Sequence, residues 1–315
     1  MAKPQLMRDA FIDYIYDAAK KTPDLMFLSA DFGAQALDRF REDLPQQFVH
    51  TGIAEQNMVA IGSGLAIEGK QVILYAMAPF LTSRCYEQIK AVVTTMHLKI
   101  AFVGVGVGLG YDHATLTHFT PEDVACTKAL NHMEVWSPAD ATVATALAEL
   151  VVEKPELRYI RLERLPMPAL YGETMSRQDL LKGFGHLRQG KDVCLLTCGY
   201  LTHKALKVQE MLAAEGISAG VVDLYAIKPL PAGLVDVLAG YRSVLSVEEQ
   251  MLEGGIGSGV LEAMAEAGQL RPFKRLGIKN GFEVSNGNRD QLHAKYGFDT
   301  PDIIAAAKAL AAKSV

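Results

Sequence analysis

Cysteine is scarce in this chain: four residues in 315, at Cys85, Cys126, Cys194 and Cys198. They make neither a C-x-x-C pair nor a zinc-binding spacing. That excludes a disulfide framework and a cysteine metal site, and reads as a protein of a reducing, cytoplasmic compartment. A large charge excess is missing too. A net charge of −5 argues against a nucleic-acid or anionic-membrane partner. Small acidic or phosphorylated substrates stay open, because a local basic pocket can coexist with a mildly acidic surface. No apolar run reaches the roughly 18 residues of a membrane span. The opening "MAKPQLMRDAFIDYIYDAAKKTPDL" has the pattern of an amphipathic helix with scattered charge rather than a signal peptide. Internal repeats, low-complexity tracts and a G-x-x-x-x-G-K-[ST] phosphate loop are absent as well.

What the chain has is alternation. Short apolar strands are predicted at 24–30, 71–77, 99–105, 133–138 and 158–163, with helices at 5–21, 54–68, 82–97, 121–131 and 139–153. Strands that are apolar throughout imply a mostly parallel sheet covered on both faces. The stretch 164–190, with its prolines, glycines and mixed polarity, breaks the rhythm and reads as a linker with an edge strand. A second cycle follows, with strands at 192–199, 218–225, 243–249 and 273–279 and helices at 202–215, 231–239, 257–267 and 301–312. The expected fold class is α/β, two domains, each a mostly parallel sheet flanked by helices. Expected boundaries are 1–165, a linker over 166–189, and 190–315.

Glycine runs are the first candidates for chemistry. "VGVGVGLG" (103–110) and "EGGIGSG" (253–259) both miss the last glycine of the dinucleotide fingerprint, so each reads as a strand-end loop that needs backbone freedom. The polar loop "GLGYDHATLTHFTPEDVA" (108–125) follows a predicted strand, where α/β proteins place ligands. Thr120 reads there as a helix N-cap with Pro121 behind it. His113 and His118 are five apart with no third ligand nearby, which suits a catalytic or substrate-binding role better than zinc. Glu55 heads the apolar run "GIAEQNMVAIGSGLA" and has two readings. It is an exposed acid favoured by a helix dipole, or a buried carboxyl held ready for proton work, since burial can raise a carboxyl pKa by roughly 3–5 units. Arg161 and Arg164, in "YIRLERLP", could clamp a phosphate or carboxylate, or be a solvated strand end.

"TGIAEQNMVAIGSGLA", "APFLTSRCYEQI", "ATLTH" and "VDLYAIKPL…VLSVEEQMLEGGIGSGV", in this order, resemble the C-terminal half of the transketolase family over nearly the whole chain. That half comprises a thiamine-diphosphate pyrimidine-binding domain and a small C-terminal domain. The resemblance implies that Glu55 hydrogen-bonds N1′ of the aminopyrimidine of thiamine diphosphate and shares a proton with it. It implies that Ile53 props the bent cofactor, that Phe80 packs against the pyrimidine, and that Tyr86 matches a later aromatic position or packs in the core. His118, after Thr117, would face the reacting carbons and stabilise an alkoxide or move its proton. Gln35 and Arg164 fall near positions that touch a sugar phosphate in relatives.

Departures bear on substrate. The histidine loop Y-D-H-A-T-L-T-H is longer between aspartate and histidine than the family's D-G-P-T-H, so Asp112 does not inherit the aspartate's substrate-hydroxyl role without a gap. His113 has no counterpart and is a candidate for substrate choice. The G-D-G signature by which relatives bind the diphosphate and Mg²⁺ is also absent. The resemblance therefore implies one subunit of a split, two-chain transketolase, inactive alone. A partner would supply the diphosphate and metal site, with no metal in this chain, in an α2β2 heterotetramer. Three alternatives remain at this point: a beta subunit of a 2-oxo acid dehydrogenase, a deoxyxylulose-phosphate-synthase-like enzyme, and a non-catalytic α/β ligand-binding module.

Overall fold

The computed structural model describes residues 5–30, 34–281 and 284–312. A first sheet has a parallel body of β1 (Leu25–Ser29), β2 (Phe48–His50), β3 (Gln71–Met77), β4 (Ile100–Val105), β5 (Glu134–Trp136) and β6 (Arg158–Leu162). Along it run α1 (Met7–Ala19), α2 (Asp38–Asp43), α3 (Glu55–Ile67), α4 (Ala78–Leu81), α5 (Tyr86–Gln88), α6 (Asp123–Ala129) and α7 (Ala141–Glu153). Successive strand residues point to opposite faces. Phe27, Ile73 and Val103 join the core under α1 and α7, while Leu28, Leu74 and Phe102 join the core on the side of α3. Both faces are covered, which is why these strands read as unbroken apolar runs. Each such side chain contributes about 1.5–3 kcal/mol by leaving water.

The second half has α8 (Arg177–Leu181), β7 (Gly185–Arg188), β8 (Val193–Thr197), α9 (Tyr200–Ala214), β9 (Ala219–Asp223) and β10 (Ala226–Lys228). It continues with α10 (Leu234–Ala239), β11 (Ser243–Met251), α11 (Ile256–Glu266), β12 (Phe273–Ile278), α12 (Arg289–Tyr296) and α13 (Thr300–Ala312). Its sheet runs in the order β12-β11-β8-β9-β7, with only β7 antiparallel, at the edge. β7 and α8 both lie in the stretch read as a linker. β10 leaves this half and pairs antiparallel with β5, so the first sheet has the order β10-β5-β6-β4-β3-β1-β2. An apolar cluster containing Phe102, Val135 and Tyr159 also takes in Cys194, Leu196, Val222 and Val244, and so runs through both halves.

Three expectations from sequence are corrected. The helix over 82–97 is broken: α4 ends at Leu81, residues 82–85 turn, and α5 leads into a wider π-helical stretch, Ile89–Thr94. Thr82 and Cys85 turn their side chains back onto the carbonyls of Ala78 and Phe80, which closes the turn. Thr120 is not a helix cap. Its amide donates to the Gly108 carbonyl at 2.9 Å, and α6 starts only at Asp123. Arg161 is neither solvated nor a ligand clamp. It is buried and grips Asp123 through two hydrogen bonds of 2.8 and 3.2 Å, with Ser137 taking a third. The acid at the start of α6 is therefore an internal counter-ion rather than only a helix-initiation signal.

The glycine runs serve backbone geometry. Gly106 and Gly108 have φ of +76° and +59°, and side chains there would collide with the Tyr111 ring and the Glu249 carboxyl. At "EGGIGSG", the Glu248 carboxyl accepts from the amides of Ile256 and Gly257 at 2.6 and 3.1 Å, so the N-terminus of α11 is filled by an internal carboxyl in place of a ligand phosphate.

Candidate active site

The carboxyl ends of β2, β3, β4 and β6 lead into the segments that carry the candidate residues. Glu55 is the first residue of α3, after a turn with Gly52 at φ +69°. It is 2 % exposed, which settles the choice between an exposed acid and a buried one. Its Oε2 accepts from Nη1 of Arg84 at 2.6 Å. Arg84 reaches it because of the broken helix: the turn at 82–85 is tied to α3 by Gln56 and to the residue before α6 by the Ser83–Glu122 bond.

From this pair a continuous row of contacts extends across the end of the sheet. The Arg84 guanidinium lies over the Phe80 ring at 4.1 Å. Phe80 meets His118 edge-on at 5.1 Å between ring centroids. His118 meets Tyr111 at 5.7 Å, and Arg164 lies over Tyr111 at 5.2 Å. Glu55, Phe80, His118 and Arg164, four of the residues singled out from sequence, thus share one row with Arg84 and Tyr111 between them.

His118 ends a tight turn over Asp112–Thr117 in which Thr115 has φ 58° and ψ −154°. A β-branched residue reaches that region only when its surroundings hold it there. The Thr117 hydroxyl lies 3.3 Å from the Ala114 carbonyl and 2.9 Å from Nδ1 of His118. The hydroxyl has one proton for these two contacts, so Nδ1 is held by Thr117 as donor or as acceptor, and Nε2 is the ring nitrogen left to face a ligand. Burial, then the nearby His113 and Arg84, lower the imidazole pKa below its ordinary value. A neutral imidazole with an available lone pair can take a proton.

The other candidates stand apart from the row or at its rim. Ile53 is 79 % exposed, two residues before Glu55. His113 is exposed and touches the side of Tyr111 at 6.1 Å. Asp112 turns away: its Oδ2 accepts from the backbone amide of Arg289 in α12 at 3.0 Å. Tyr86 is half-buried and lines a different depression of about 630 Å³ with Lys90, His97 and Leu130. Gln35 is exposed, and the neighbouring Asp31, Phe32 and Gly33 lie outside the described residues. Among the described residues, no group of three or more His, Cys, Asp or Glu side chains is placed to hold a metal ion.

Two family models match this chain: "Transketolase, pyrimidine binding domain" over residues 3–168 and "Transketolase, C-terminal domain" over residues 183–303. The chain belongs to the transketolase family. It is 31 % identical to one subunit of the apulose-4-phosphate transketolase of Phocaeicola vulgatus, over 94 % of both chains. It is 30 % identical to a 6-deoxy-6-sulfo-D-fructose transketolase subunit of Clostridium sp. (strain MSTE9), over 96 % of this chain and 93 % of that one. A solved structure described as "Split gene transketolase, inactive beta4 tetramer" superposes with a TM-score of 0.85 at 28 % identity, covering 99 % of this chain and all of the other.

Within this transketolase chain, sequence reading missed Arg84 and Tyr111. Both lay inside quoted motifs, "TSRCYEQ" and "GLGYDH", but only the turn at 82–85 and the left-handed glycines bring them to the row.

Proposed function

We propose that this chain is the pyrimidine-binding and C-terminal subunit of a thiamine-diphosphate-dependent transketolase. It would transfer a two-carbon ketol unit between sugars, with a partner chain holding the diphosphate and Mg²⁺ in an α2β2 assembly. The observation that carries this reading is the buried carboxyl of Glu55 at the start of α3, joined by a row of rings to His118. The residues fit the aminopyrimidine end of the cofactor. Glu55 offers a carboxyl screened from water, and the half-buried Phe80 offers a ring face beside it. When bound, thiamine diphosphate supplies the carbon nucleophile that carries the two-carbon unit.

This chain's own groups then divide the work. Glu55 would exchange its Arg84 partner for the ring nitrogen of the pyrimidine and share a proton with it. Phe80 and the exposed Ile53 would pack against the cofactor. His118 moves the proton of the substrate's hydroxyl through Nε2. Arg164 has a buried Nε with no hydrogen-bond partner and lies over Tyr111 at the far end of the row, a place for the anionic end of a sugar. The two relatives are named for a phosphorylated and a sulfonated sugar, which supports an anion-ended substrate here. His113 lies at the rim, beside Tyr111, where it would act on substrate choice, and Gln35 would touch the sugar phosphate.

Glu55→Gln tests the reading in the complex formed with the partner chain. The amide keeps the shape but cannot share a proton. Turnover should fall at least about a hundredfold, with the circular-dichroism spectrum unchanged. A non-catalytic binding module would show no such loss.

A further inference from the structure

A second set of buried charges lies behind the histidine loop and has no part in the row of rings. Arg289, the first residue of α12, is 5 % exposed and spends its guanidinium on two carboxylates. Nε and Nη2 donate to the two oxygens of Glu249 in β11, each at 2.6 Å. Nη1 and Nη2 donate to Glu163, just past β6, at 2.8 and 3.0 Å. Its planar face covers Tyr200 at 3.8 Å. Behind Glu249, His293 donates from Nε2 to Oε1. Its Nδ1 faces the Lys204 ammonium at 2.6 Å, which has only protons to give, so the tautomer is fixed.

Two bonds run from this cluster to the loop between β4 and α6. Oε2 of Glu249 accepts from the Leu109 amide at 3.0 Å, and the Arg289 amide donates to Oδ2 of Asp112 at 3.0 Å. Gly108 makes room, since a side chain there would lie 2.3 Å from the Glu249 carboxyl. Leu109 and Phe119, on either side of the turn that bears His118, are buried in the core of the second half. The loop belongs by sequence to the first half and is anchored in the second. Between the anchors lies Thr115, in a conformation its side chain disfavours.

We infer that Glu249 and Arg289 are positioning residues for the histidine loop: the C-terminal half clamps Leu109 and Asp112 and so sets where His118 stands beside Phe80. The functional weight of this clamp rests on the reading of His118 given above, but its structural content does not. The test is therefore made first on the free chain, by amide hydrogen exchange of residues 109–118. Arg289→Lys keeps the charge and loses the fork; Glu249→Gln keeps the shape and loses the charge. Each should speed exchange in 109–118 at least tenfold while α3 and β3 exchange as in the unaltered chain. Lys204→Met, which alters the far side of the cluster, should leave the loop unchanged. In the complex with the partner chain, kcat should drop at least tenfold with thiamine diphosphate affinity within twofold. Unchanged loop exchange, an increase spread evenly over the chain, or loss of fold in both clamp variants would overturn the clamp. A loosened loop in a chain pair that never shows ketol transfer would leave the clamp standing and count against the proposed function.

Discussion

A buried carboxyl paired with a half-exposed guanidinium is the feature on which the residue-scale account depends. Glu55 is screened from water while the Arg84 side chain is 40 % exposed, so the arginine can leave where the acid cannot. If Glu55 is to meet the pyrimidine nitrogen, this bond must break on cofactor binding. Arg84→Met removes the competitor, and thiamine diphosphate should bind the complex about tenfold more tightly by titration calorimetry, roughly the worth of one charged hydrogen bond. Weaker binding would instead make Arg84 a cofactor ligand. His118 gives a pH prediction. Its lowered pKa leaves the imidazole neutral at pH 7 and able to take a proton. As pH falls below about 6.5 and through that lowered pKa, the lone pair is filled. The limiting rate should therefore decline on the acid side, and His118→Ala should abolish that limb of the profile.

At the scale of elements, the end of β9 holds a carboxyl with an unusual cost. Asp223 accepts from the hydroxyls of Tyr171 and Thr202, yet burial pushes its pKa up to about 7. The folded chain then binds a proton that the unfolded chain, with an ordinary carboxyl near 3.9, does not. The sign follows: this group's stabilisation is full below about pH 4 and is lost as pH rises to about 7, at about 1.4 kcal/mol per pH unit. Asp223→Asn keeps an acceptor and lets the Tyr171 hydroxyl accept in turn. Relative to the unaltered chain, it should gain about 2–3 kcal/mol in urea unfolding between pH 5 and pH 8. A parallel pH dependence in both proteins would contradict the assignment.

Elements were legible from sequence where they were long and apolar. β3 was expected at its observed bounds, and β1, β4, β6 and α7 within two residues, because both faces of a parallel sheet are buried. Short elements that depend on distant partners were not. β2 and β10 are three residues each, and β10 is a strand only because β5 offers it an edge. α12 could have been found: Asn288 and Gln291 form a capping box, and Gly297 closes the helix in the left-handed region. Of the site, Glu55, Phe80, His118 and Arg164 were legible through their motifs. Arg84 was not, because the pattern over 82–97 suits an unbroken helix, on which it would face elsewhere.

For the molecule as a whole, the two halves share an apolar cluster, a strand and a buried ionic cluster, and the row of rings runs along the surface they support. Ile53, two residues before the buried Glu55, and Leu116, in the turn before His118, are large apolar side chains exposed to 79 % and 50 %. Both would be covered if a second chain closed over the row, as the proposed cofactor site requires. The most direct test is thiamine diphosphate binding with Mg²⁺, measured for this chain, for a partner chain carrying the G-D-G signature, and for the two together. The account predicts binding by the pair and not by this chain alone. Tight binding by the lone chain, or none by the pair, would contradict it.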